Sequence, residues 1–216
     1  DKFKFMNKGF GNEFNKKNNN QNKNLLVEDI ELSAQTKKAI FLAREGKLLE
    51  SAKIYNDLIY KGKFNHLTFH RLAGIYERLG KRKEAFQCLQ KAINVKKNYA
   101  EAYCDIGRYL LDAKEIKSAL NCYSKALKYK PNLFGAYINI GNIYQKSGNL
   151  SEAIKFYKKS LEIDNKIPIT FYNIGTIYAI EKNLIDAEKN YRCALECDKN
   201  FHLAKIALVN IYLDTF

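Results

Sequence analysis

From Leu32 onward, apolar residues recur at i, i+3, i+4 and i+7, the spacing that puts them on one face of an α-helix. Tyr137, Ile140, Gly141 and Tyr144 make one such face, and Ala153, Phe156, Tyr157, Ser160 and Leu161 make the next. Between them stand Gly148, Asn149 and Ser151. Glycine supplies the left-handed residue that closes a helix, and a short polar side chain caps the one that follows. Gly46 and Gly80 hold the same place in earlier pairs, whereas Lys114 and Lys182 stand there in two others. Those two turns must accept a strained residue or take another geometry. The pattern predicts a pair of amphipathic helices, A and B, joined by a tight turn.

The pair recurs every 34 residues without insertion. With Phe134 as position 1, the frame runs back to Ala100, His66 and Leu32 and forward to Pro168 and His202. It defines repeats 32–65, 66–99, 100–133, 134–167 and 168–201 and a partial one, 202–216, within an array expected over residues 25–216. Position 8 is small (Ala39, Ala73, Gly107, Gly141, Gly175), and so is position 20 (Ser51, Ala85, Ala119, Ala153, Ala187). Position 24 is bulky (Tyr55, Leu89, Tyr123, Tyr157, Tyr191). Small residues allow close approach, and large ones fill the space between helices and the next repeat. One pair cannot bury its apolar face alone but stacked copies can, so the expected fold is an all-α, right-handed superhelical solenoid with the A helices lining its inner surface.

This pattern resembles the tetratricopeptide repeat: Tyr103-x-x-Ile106-Gly107, Tyr137-x-x-Ile140-Gly141-x-x-Tyr144 and Phe171-x-x-Ile174-Gly175-x-x-Tyr178 in the first helices, and Ala and Tyr at matching places in the second. Two departures stand out. The family's proline near the end of the repeat appears only as Pro131, and Gln35 and Lys38 occupy usually apolar places in the first repeat. The resemblance implies binding of a protein or peptide partner on the inner face, where Arg71, Asp105, Arg108, Asn139, Asn142, Gln145, Tyr172, Asn173, Thr176 and Asn210 are the candidate contacts. Asn139 and Asn173 share one position in adjacent repeats. Such an amide column, similar to that of the superhelices attached to O-linked sugar transferases, can hydrogen-bond the backbone of an extended peptide. The family's carboxylate clamp fits poorly, because Ile138, Leu203 and Ala207 replace its cations. YAEAYCDIG at 99–107 and NFHLAKIALVNIYLD at 200–214 are similar to late repeats of SPINDLY-type O-fucose or O-GlcNAc transferases, which implies an alternative role as the substrate-recognition region of such an enzyme.

Composition sharpens this picture at four points. The segment NKKNNNQNKN, 15–24, cannot bury enough apolar surface to order itself, so residues 1–24 are expected to form a disordered tail. The charge of +14, from 37 Lys and Arg against 23 Asp and Glu, invites association with RNA or a membrane surface. Yet the cations fall mostly on B helices and junctions, and no motif reads bases, so no specific nucleic acid is expected. No apolar run is long enough to cross a bilayer and no signal peptide is evident, which implies no membrane insertion and a cytoplasmic or nuclear location. The chain begins at Asp1 and ends at Phe216 directly after an apolar stretch, as a fragment of a longer protein would.

Catalytic chemistry finds no support in these residues. The five cysteines lack C-x-x-C spacing, and Cys193, Cys197 and His202 have no suitably spaced fourth ligand, so no metal or cofactor is expected. His66 and His70 enclose no glutamate of the zinc-hydrolase kind. No phosphate loop or nucleophile elbow is present, so these residues are expected to bind rather than catalyse. Partner identity and oligomeric state are not written in the sequence.

Overall fold

The computed structural model describes residues 33–214, so the predicted tail lies outside the described residues. They form eleven α-helices and no strand: α1 (33–44), α2 (Leu48–Tyr60), α3 (His66–Arg78), α4 (Arg82–Val95), α5 (Ala100–Asp112), α6 (Ile116–Tyr129), α7 (Phe134–Lys146), α8 (Leu150–Ile163), α9 (Pro168–Ile180), α10 (Leu184–Cys197) and α11 (His202–Asp214). The described residues are all-α, a solenoid of paired helices. Helices α3, α5, α7, α9 and α11 start 34 residues apart, and each of the first four packs most extensively on the helix that follows it.

Two compact units part between Val95 and Lys96. In the N-terminal unit, the buried Ala39 and Ala73 hold position 8. The Ser51 hydroxyl at position 20 donates to the Ala39 carbonyl at 2.7 Å, tying α2 to α1. A reciprocal cap opens α3, in which Asn65 Oδ1 accepts from the Thr68 N–H and Thr68 Oγ1 accepts from the Asn65 N–H, both at 3.2 Å.

In the C-terminal unit the small residue at position 8 is glycine, for a reason more specific than close backbone approach. A Cβ on Gly107, Gly141 or Gly175 would stand 2.7, 2.6 or 2.7 Å from Cε1 of Tyr123, Tyr157 or Tyr191. The position-24 ring of each B helix thus packs directly against the backbone of its A helix, where no side chain fits. These rings anchor the core: Tyr123 and Tyr157 are fully buried and Tyr191 nearly so.

The turns follow the same economy of space. Gly46, Gly80 and Gly148 have φ of +79°, +75° and +78°, and Lys114 and Lys182 take +64° and +58° in the equivalent turns. The turn is the same in both cases, so the two lysines accept the left-handed strain. Asn149 and Asn183 cap α8 and α10 through the Glu152 and Asp186 N–H groups.

Candidate functional site

Nine of the ten candidate contacts belong to the C-terminal unit, and Arg71 lies exposed in the N-terminal one. Of the nine, Asn210 is exposed on α11 and the other eight are half-buried on α5, α7 and α9. Their shared face follows from the 34-residue frame, which puts Asp105, Asn139 and Asn173 at position 6 and Arg108, Asn142, Thr176 and Asn210 at position 9.

The central feature is a polar cluster around one tyrosine hydroxyl. Tyr157 Oη, reaching up from α8 between α7 and α9, stands 2.7 Å from both Asn142 Oδ1 and Gln145 Oε1. A hydroxyl has one proton, so it donates to one of these amides while the other turns its NH2 toward the hydroxyl oxygen. Asn173 Nδ2 of α9 donates to Asn142 Oδ1 of α7 at 3.1 Å, binding consecutive A helices through their side chains. Burial pushes the Tyr157 hydroxyl up, partly offset by a hydrogen bond from Asn173, so it remains a neutral donor at any ordinary pH.

The neighbouring repeats vary this theme. Asn139 Nδ2 donates weakly to Cys104 Sγ of α5 at 3.9 Å, and burial holds that thiol protonated by pushing it up to about 12. Tyr191 Oη lies 3.4 Å from Thr176 Oγ1, which itself donates to the Tyr172 carbonyl at 2.9 Å. The Tyr172 ring sits against those of Tyr191 and Phe201. On α5 an arginine takes the place of the amide: Arg108 approaches Asp105 at 4.0 Å and its guanidinium lies 5.0 Å from the centre of the Tyr109 ring. Tyr123 Oη, one repeat before Tyr157, is buried without a hydrogen-bond partner, as is Tyr55 Oη in the N-terminal unit.

The structure therefore brings Asn142, Gln145 and Asn173 together around one hydroxyl, while Asn139, one turn before Asn142 on α7, bonds toward α5. It also adds the position-24 tyrosines to the site. Their size and position in the sequence mark them as core, and they are core, but the hydroxyls of Tyr157 and Tyr191 reach polar side chains of the A helices. The available signal was the choice of Tyr over Phe at three successive repeats.

Charge is distributed unevenly. Glu101, which accepts from Lys130 Nζ at 2.7 Å, Asp105 and Asp112 make α5 acidic against the single Arg108. Among the described residues no three His, Cys, Asp or Glu side chains are grouped to hold a metal, and no helix is long and apolar enough to cross a membrane. Cys193 and Cys197 are free thiols, with Cys197 Sγ 3.7 Å from the Asn165 carbonyl.

Models of the tetratricopeptide repeat match residues 68–99 and 135–166, and a related repeat model matches 107–148. No curated protein sequence matches the chain. Among solved structures, pilF of Pseudomonas aeruginosa superposes with a TM-score of 0.75 at 14% identity over 86% of this chain and 84% of that one. MamA of Desulfovibrio magneticus RS-1 gives 0.64 at 17% identity, covering 79% and 96%. YrrB, described as a TPR protein with an unusual peptide-binding site, gives 0.58 at 21% identity, covering 80% and 89%. At such identities these likenesses establish the shared fold.

Proposed function

The chain being an array of tetratricopeptide repeats, we propose that it is a protein-interaction scaffold whose A-helix face, between α5 and α9, binds an extended segment of a partner protein through that segment's main chain. The observation that carries this reading is the amide cluster of Asn139, Asn142, Gln145 and Asn173. Each amide offers two N–H donors and two acceptor lone pairs. The internal hydrogen bonds fix where these groups point without filling their capacity, which is the preorganised polar surface that backbone recognition needs. A helices rise about 10 Å apart in such stacks, so α5 to α9 spans about 20 Å, the length of roughly six extended residues.

The test needs a defined probe. A random 12-residue displayed library is selected against the protein, and the affinity of the recovered peptide is measured by fluorescence polarisation. Paired replacement Asn139→Ala and Asn173→Ala is expected to weaken binding at least tenfold with helicity intact, whereas K155A/K158A/K159A on α8 leaves it within twofold. Loss of affinity with the lysine triple and none with the asparagine pair would move the site to the B helices and overturn the reading. The other role, as the recognition region of an O-linked GlcNAc or fucose transferase, rests on sequence resemblance and would use the same face.

A further inference from the structure

Three successive repeats of the C-terminal unit carry tyrosine at position 24, and three different solutions meet its hydroxyl. Tyr157 has Asn142 and Gln145, and Tyr191 has Thr176. Tyr123 has none, although its side chain is 0% exposed. The residues that stand where Asn142 and Gln145 stand one repeat later are Arg108 and Leu111. Leucine is apolar, and an arginine side chain has no acceptor for the hydroxyl proton. Arg108 is drawn instead to Asp105 and the Tyr109 ring.

A buried hydroxyl without an acceptor destabilises the fold that holds it, and phenylalanine would fill the same space against Gly107 without that cost. The Tyr123 hydroxyl therefore makes no hydrogen bond to the protein around it. Cys104, Arg108 and Asp112 lie within electrostatic reach, and Asn139, beside Cys104, holds only one weak hydrogen bond to sulfur. The hydroxyl lacks an acceptor, and a neutral main-chain carbonyl is one. The Arg108–Asp105 pair is long and about one-third exposed, and an exposed pair of that kind contributes little on its own.

We propose that Tyr123 is a binding residue of the A-helix face, its hydroxyl donating to a main-chain carbonyl of the bound segment once Arg108 swings away, with Asn139 engaging the adjacent peptide unit. This deepens the proposed function and rests on it. Binding supplies the acceptor that the repeat itself lacks, so the interaction is made only in the complex.

The experiment is an amide-to-ester scan of the library-selected 12-residue peptide, read by fluorescence polarisation against wild type, Tyr123→Phe and Tyr157→Phe. An ester is a weaker acceptor than an amide, so one position is expected to lose affinity roughly fivefold on wild type. That same loss should vanish on Y123F and persist on Y157F. Y123F alone should weaken the all-amide peptide by a similar factor while its melting temperature stays equal or rises. Y123F binding as wild type, with the N139A/N173A pair still impaired, overturns the Tyr123 assignment and leaves the face in place. A peptide indifferent to both Y123F and the asparagine pair overturns the face and Tyr123 together.

Discussion

Tyr123 and Tyr157 stand at the same position of neighbouring repeats and lay their rings on Gly107 and Gly141 in the same way, yet one hydroxyl is enclosed by amides and the other meets nothing. The ring contact is set by the 34-residue repeat, since glycine and tyrosine recur in phase. The hydroxyl's partner is set by positions 9 and 12 of the A helix, which vary from Arg108 and Leu111 to Asn142 and Gln145. One side chain thus serves two levels of organisation, with stacking in its ring and a repeat-specific polar environment at its tip. The difference between the repeats separates what holds the array together from what distinguishes its surface.

The ring level should break first and hardest. Gly141→Ala drives a methyl to 2.6 Å from a fully buried ring and is expected to cost about 1–3 kcal/mol, lowering the midpoint of thermal unfolding by several degrees. Gly74→Ala, a mid-helix glycine of α3 with nothing within 4 Å of its added carbon, should act oppositely and stabilise by about 0.5–1 kcal/mol. Equal losses at both sites in calorimetry would remove the ring contact as the explanation.

The hydroxyl level is next. Tyr157→Phe removes the hydroxyl that Asn142 and Gln145 share and should cost about 1 kcal/mol. Tyr123→Phe should be neutral or stabilising by up to about 1 kcal/mol, and a loss equal to that of Y157F in urea titration would show that Tyr123 is satisfied in the free protein. The turns sharpen the same contrast between repeats. Lys114→Gly and Lys182→Gly relieve left-handed backbone and should each stabilise by roughly 0.5–1 kcal/mol, whereas Gly148→Lys should destabilise.

The smallest effect is expected at α11. Tyr212 donates to Glu188 Oε1 at 2.7 Å and Arg192 Nε donates to the same oxygen at 2.9 Å, so the Glu188 carboxyl titrates below the usual range. A depressed carboxylate stabilises above its unfolded pKa, about 4.3, and that stabilisation fades as pH falls through the folded value. Amide exchange in α11, corrected for intrinsic rates, should therefore quicken on going from about pH 6 to pH 3 in wild type and change less in Glu188→Gln.

Much of the fold was legible because spacing alone carries it: i, i+3, i+4 and i+7 faces, glycine before the B helix and a strict 34-residue phase lead to α3 through α11. Lys114 and Lys182 could be flagged, but choosing between strain and a different turn required the backbone itself. Asn139 and Asn173 looked like members of one column, yet they bond to Cys104 and Asn142 respectively. A shared position fixes the direction of a side chain and leaves its partner to the neighbouring repeat. The hydroxyls of Tyr123 and Tyr157 were hidden for the same reason, because aromatic size accounts for both positions before their polar tips are considered.

The most direct measurement of whether the A-helix face is the binding surface is a backbone NMR titration of the isotope-labelled protein with the library-selected peptide. If it is, saturable shifts concentrate on α5, α7 and α9 at Arg108, Asn139, Asn142 and Asn173, with the exposed residues of α6, α8 and α10 unmoved. Shifts concentrated on Lys125, Lys155, Lys158 and Lys159 instead would contradict it.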